Sequence, residues 1–154
     1  MSSIKKNIAG KPRQGGAKKG LKIGIVQSEY NSEIGDALYK RCSDTLLASG
    51  VSGKNIVTVK VPGAFEIPLA CQKLATLKKL DVIITLGALI KGETPHFDYI
   101  ASSCAMGIMD VSLKTNVPII FGVLTTNNMA QARARIDKGA EAALSALQIS
   151  NLNL

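Results

Sequence analysis

The feature that most constrains this chain is a strict alternation of short apolar runs with stretches of helical period. LKIGIVQS (21–28) gathers Ile23, Ile25 and Val26, and NIVTVKV (55–61), DVIITLGALI (81–90) and PIIFGVL (118–124) repeat the pattern. Near-continuous aliphatic runs of this length suit strands covered on both faces. Between the first two, Ile34, Leu38, Cys42 and Leu46 recur every fourth residue and so share one helix face. Asn31 or Ser32 stands where a helix is capped, and Gly50 lies just past its end. The second helix is expected to carry Leu69, Lys73, Leu74 and Leu77, the third to run from about Thr94 to Thr115, and a last one, open to a bend, from about Asn127 to Gln148. Four strand–helix pairs predict an α/β three-layer sandwich, with a four-stranded parallel sheet flanked by helices. Ligands in such sheets bind beyond the carboxyl ends of the strands. The segments that follow Ser28, Val61, Ile90 and Leu124 are therefore the place to look for function.

At 154 residues and 46% hydrophobic content the chain suits one domain with a substantial core. No stretch approaches the ~20 apolar residues of a membrane span, and the basic N-terminus lacks the apolar run of a secretory signal. Cys42, Cys71 and Cys104 are scattered and odd in number. That pattern argues for reduced thiols packed as small apolar residues, and for a soluble cytoplasmic protein with no membrane partner. One histidine, and no carboxylate cluster with ligand spacing, predict no metal. The net charge of +8 is mostly local: residues 1–20 hold six basic residues and no acid, which leaves 13 basic against 11 acidic residues elsewhere. The Gly-, Lys- and Ser-rich stretch 1–20 is expected to be a disordered basic arm, with residues 21–154 as the folded domain. Such an arm could make weak contact with anions, but the near-neutral body argues against a nucleic-acid-binding role.

Each strand exit carries distinct chemistry. After the first, SEYNSE places Tyr30 where its flat ring can face an aromatic ligand. It lacks the G-x-G-x-x-G of a dinucleotide site. It also lacks the hydroxyl-rich phosphate loop that a flavodoxin-type electron carrier would place here. After the second, VPGAFEIP offers Gly63 for close backbone approach and Pro68 for a helix first turn. Glu66 beside those N–H groups would suit a polyhydroxylated chain. After the third, ALIKGETPHFDY sets Thr94 and Pro95 at a helix start, where free N–H groups and partial positive charge can cradle a phosphate. Gly92 is expected to allow a tight turn there. His96, the only histidine, lies in the first turn, and imidazole is the side chain suited to proton exchange near neutral pH. After the fourth, Arg133, Arg135 and Lys138 form either a solvated basic face or an anion clamp. These segments read together favour a planar heterocycle and a phosphorylated, sugar-like partner as ligands.

PGAFEIP, GALIKGETPHFDY and IIFGVLTTNNMAQA(R)AR, in this order and spacing, resemble the lumazine synthase family over about residues 20–150. The resemblance implies a flavodoxin-like fold and assembly into homopentamers, or multiples of pentamers, with active sites shared between neighbours. It implies the penultimate step of riboflavin biosynthesis, in which 5-amino-6-(D-ribitylamino)uracil condenses with 3,4-dihydroxy-2-butanone 4-phosphate to 6,7-dimethyl-8-ribityllumazine. Phosphate and water leave, and no cofactor is used. By the same resemblance Tyr30 stacks on the pyrimidine ring and Asn31 follows it in the substrate-binding set. Ala64, Phe65 and Glu66 hold the ribityl chain, and Leu89 and Ile90 touch the ring. Gly92, Glu93 and Thr94 face the phosphate, and His96 transfers protons. Phe121 closes the ring pocket from the adjacent subunit, Arg135 binds phosphate, and Lys138 stands for a family lysine across a gap. Tyr30 here replaces a more usual Phe or Trp, Lys91 stands where arginine is common, and the segment after Arg135 is shorter than in many relatives.

Overall fold

The structure, a computed structural model, describes residues 16–152. Their elements are β1 (Ile23–Ser28), α1 (Ser32–Ala48), β2 (Ile56–Val61), α2 (Ile67–Leu77), β3 (Val82–Ile90), α3 (His96–Thr115), β4 (Ile119–Thr126), α4 (Met129–Arg133) and α5 (Lys138–Ser150). Short 3-10 turns, Gly53–Asn55 and Ala64–Glu66, precede β2 and α2. The strands form one parallel sheet in the order β2-β1-β3-β4.

The central strands explain the sandwich. β1 is buried at all six positions, as a strand between two helical layers must be. Strand side chains alternate between faces, so Ile84 and Leu86 pack with Leu38, Leu46, Ala143 and Ala146 of α1 and α5. Ile83 instead packs with Ile67, Cys71 and Leu74 of α2 and with Cys104 and Ile108 of α3. Fully burying one such aliphatic side chain is worth roughly 1.5–3 kcal/mol. All three cysteines are buried and free. Burial pushes the Cys42 and Cys71 thiols up to about 12 and Cys104 up to about 11, with Cys104 adding to the effect on Cys71. They are inert core groups, as expected of small apolar fillers.

The helix expected on Ile34, Leu38, Cys42 and Leu46 buries those four residues, and Gly50 past its end has φ +98°. The second helix carries Leu69, Lys73, Leu74 and Leu77 as expected, though not all are buried, and the bounds of the last two helices need correction. In α2 the buried stripe is Ile67, Cys71 and Leu74, whereas Leu69 and Leu77 are 57% and 78% exposed and Lys73 is exposed. The helix carries two apolar stripes, and its docking on the sheet selects one. The third helix begins at His96 rather than Thr94, with Pro95 at its cap. The last helix is two helices. Ala134–Asp137 turn the chain, with Lys138 N–H donating to Arg135 O and Gly139 N–H to Ile136 O, while Ile136 packs on the core.

The disordered-arm expectation falls largely on residues 1–15, outside the described residues. Within 16–20, Ala17 packs on the core and its N–H donates to Ser49 O at 2.9 Å. No helix among the described residues is long and apolar enough to cross a membrane.

The contact between α1 and α5 turns on Gly139. A Cβ there would lie 2.1 Å from Leu38 O and 2.9 Å from Leu38 C, both backbone atoms that cannot step aside. Helix propensity alone favours Gly139→Ala by about 1 kcal/mol, whereas overpacking costs about 1–3 kcal/mol. The expected outcome is a lower urea midpoint with unchanged slope, and a raised midpoint would show that the two helices do not meet this closely.

Candidate active site

Strand order places the exits of β1 and β3 side by side while their connections depart to opposite sides, the switch point at which open α/β sheets form a crevice. β3 also outruns β1: their pairing ends at Gln27 opposite Leu86, while β3 continues to Ile90 alongside β4. The step between them opens into a cleft of about 650 Å³.

Eleven of the residues singled out in the sequence line this cleft: Tyr30, Asn31, Gly63, Ala64, Phe65, Glu66, Leu89, Ile90, Gly92, Thr94 and His96. Tyr30 is 72% exposed, while its backbone is fixed to the second loop. Glu29 N–H donates to Val61 O at 2.8 Å and Tyr30 N–H to Pro62 O at 3.0 Å. Asn31 adopts the left-handed conformation, φ 57° and ψ 51°, and its Nδ2 donates to Ala88 O at 3.0 Å. Glu66 Oε2 accepts from Gly63 N–H at 3.0 Å, which folds the second loop back on itself. Gly63 is extended, a conformation open to any residue, but a Cβ there would crowd Glu66 Oε2 at 3.3 Å. Glu66 thus braces its own loop with one oxygen, and Oε1 has no intrachain partner among the described residues.

Leu89 and Ile90, half-buried at the end of β3, supply an apolar wall. At the rim Thr94 Oγ1 accepts from His96 N–H at 3.4 Å, and the first turn of α3 begins there. Lys91 N–H donates to Thr126 O, which ties this loop to β4. Gly92 does not have a positive φ, so its backbone there does not depend on the freedom of glycine. Sequence reading did not single out Ser28, Pro62, Ala88, Phe97 or Ile100, which also line the cleft. Phe97 and Ile100, three apart in the first turns of α3, carried a signal in their helical spacing.

Four expected residues lie outside the cleft of their own chain: Glu93, Phe121, Arg135 and Lys138. Phe121 is on the edge strand β4 and 38% exposed. The basic cluster is divided. Arg133 makes a fork with Glu33, Nε to Oε1 at 2.7 Å and Nη2 to Oε2 at 3.2 Å. That bonding and the guanidinium charge hold the Glu33 carboxyl below its ordinary range and raise Arg133. Arg133 is therefore engaged, which corrects its reading as part of an anion clamp. Lys138 sits 3.8 Å from Glu141. Arg135 bonds only the Gln131 carbonyl and has no carboxylate partner among the described residues.

The cleft thus offers an exposed aromatic face, an aliphatic wall, a carboxylate, helix N–H groups and an imidazole. Among the described residues no group of three or more His, Cys, Asp or Glu could hold a metal. A second concavity of about 390 Å³, lined by Lys18, Asp81, Asn116 and Ser150 among others, has no aromatic ring, thiol or imidazole.

Because Tyr30 and His96 are exposed, Tyr30→Ala and His96→Ala should each leave unfolding free energy within about 0.5 kcal/mol of the parent. Urea titration checks this, and a larger loss would mean that either side chain holds the fold rather than serving a ligand.

A family model described as 6,7-dimethyl-8-ribityllumazine synthase matches residues 20–153.

Proposed function

The chain belongs to the 6,7-dimethyl-8-ribityllumazine synthase family, transferases of riboflavin biosynthesis, and on that premise we propose its reaction in full. It condenses 5-amino-6-(D-ribitylamino)uracil with 3,4-dihydroxy-2-butanone 4-phosphate, giving 6,7-dimethyl-8-ribityllumazine and releasing phosphate and water. The observation that carries this reading is the meeting of Tyr30, Glu66 and His96, from three different strand exits, in one cleft. Chance would not be expected to bring a flat ring, a polar brace and a proton carrier together at the switch point.

The division of labour follows from the side chains. Tyr30 stacks on the uracil ring against the Leu89 and Ile90 wall, which removes most of the entropy of the bimolecular encounter. Ala64, Phe65 and Glu66 line the path of the ribityl chain. The backbone of Gly92, Glu93 and Thr94, in the loop that leads into α3, faces the phosphate and stabilises its departing charge. His96 moves protons as the amine and ketone form an imine, as phosphate leaves, and as the second nitrogen closes the ring. No cofactor or metal takes part in this scheme.

Phe121, Arg135 and Lys138 complete the site from a neighbouring copy. Two features support that assignment: they lie outside their own chain's cleft, and Arg135 has no carboxylate partner among the described residues. The assembly is a homopentamer or a multiple of one. The exposure of Tyr99, Met106, Met109 and Leu113 along α3 (69%, 73%, 61% and 72%) supplies an apolar face of the kind subunits cover. The catalytic unit is residues 21–154, with residues 1–20 outside the chemistry. Three buried, unpaired thiols support a cytoplasmic location.

Purified protein given the two substrates should produce the fluorescence of the lumazine, and its absence would overturn the reading. His96→Ala should slow turnover by about 10²-fold or more, as loss of a general acid–base does, without abolishing it. Unchanged turnover would remove His96 from the mechanism. A chain lacking residues 1–15 should turn over at the parental rate, and a lost rate would place those residues in catalysis.

A further inference from the structure

We propose that Asn31 is a positioning residue, a strut across the β1–β3 crevice that aims the Tyr30 ring and so governs capture of the planar heterocycle. The inference rests on the proposed condensation and deepens it. It changes the role of Asn31 from a contact with substrate to a brace behind the residue that makes the contact.

Asn31 is in the left-handed region at φ 57°, one of two non-glycine residues so placed among those described. That conformation costs most residues roughly 1–2 kcal/mol, and asparagine less. The residue also stands at the cap of α1, where an asparagine side chain ordinarily bonds a helix N–H, yet it makes no such bond. Its main-chain carbonyl accepts from Ile34 and Gly35 instead. The amide reaches away from the helix, and Nδ2 donates to Ala88 O, 57 residues along the chain.

The position of that carbonyl explains the reach. The β1–β3 ladder ends at Gln27 opposite Leu86, two residues short of Ala88 on β3. Ala88 is 2% exposed, and a buried carbonyl left without a donor is costly. The Asn31 amide supplies the donor that β1 no longer provides. Tyr30 therefore sits between two clamps, its own N–H on Pro62 O and its successor's side chain on Ala88 O. With 72% of the residue exposed, little packing fixes the direction of the ring. The backbone must aim it.

Asparagine meets both requirements at this position. Glycine accepts the left-handed backbone but has no donor. Aspartate tolerates the backbone but turns an acceptor toward an acceptor.

The test is steady-state kinetics with both substrates, with equilibrium binding of 6,7-dimethyl-8-ribityllumazine alongside. The chains compared are the parent, Asn31→Gly, Asn31→Asp, Tyr30→Ala, and Tyr30→Ala combined with Asn31→Gly. Asn31→Gly and Asn31→Asp should each raise KM for the ribitylaminouracil, and Kd for the lumazine, about tenfold, the equivalent of ~1.4 kcal/mol. KM for the butanone phosphate should move less than about twofold. With Tyr30→Ala already present, Asn31→Gly should add less than about twofold, because the strut then has no ring to aim. Parental affinity in both Asn31 variants would overturn the proposal. So would an equal rise in KM for both substrates, or a full effect that persists without the Tyr30 ring. A parent chain that neither turns over nor binds the lumazine would overturn the functional reading and this inference with it. A working parent with any of the preceding results overturns this inference alone.

Discussion

The mismatch in length between β1 and β3 is the constraint on which the carboxyl edge depends. Both strands are buried in the middle of a parallel sheet, so their register is fixed by packing on two faces at once. β3 runs on with β4 to Ile90 while β1 has already ended at Ser28. A flush edge would leave no step, and without the step the loops at 29–31, 62–66 and 91–96 would have no common hollow to line. The cleft is therefore a consequence of the core, built where the ladder stops and buried carbonyls still require donors.

Polar groups near that edge serve the loops first. Glu66 folds its own turn, Asn31 ties α1 to β3, and Thr94 receives the first N–H of α3. Such bonds hold the exposed rings and the imidazole on a fixed backbone. Charges elsewhere behave differently. Glu33 with Arg133, and Arg41 with Asp137, tie α1 to α4 and to the cap of α5 at the surface. Exposed pairs of this kind contribute little to stability, but they occupy a guanidinium that would otherwise be available to an anion.

The sheet and most of the cleft were legible in the sequence because their signals are local. Aliphatic runs mark strands covered on both sides, and the rule for strand exits converts those runs into addresses for Tyr30, Glu66 and His96. Where two local readings compete, locality is not enough. α2 has one apolar stripe through Ile67, Cys71 and Leu74 and another through Leu69 and Leu77. Periodicity accepts either, and only contact with β1 and α3 selects the first. The bend allowed for in the last helix is located only by the fold: no proline or glycine marks Ala134–Asp137, where Ile136 packs against the core.

By itself the sequence determined the strand count, the parallel alternation, the inert thiols and most of the segments that line the cleft, because each is set by residue type and spacing over a few turns of chain. The fold decided what depends on distances between remote residues. It engaged Arg133 with Glu33, kept Phe121, Arg135 and Lys138 out of their own chain's cleft, and sent the Asn31 amide to a carbonyl on β3. No pattern along the chain encodes such pairings, since they come from where the buried strands end relative to one another once both faces of the sheet are packed.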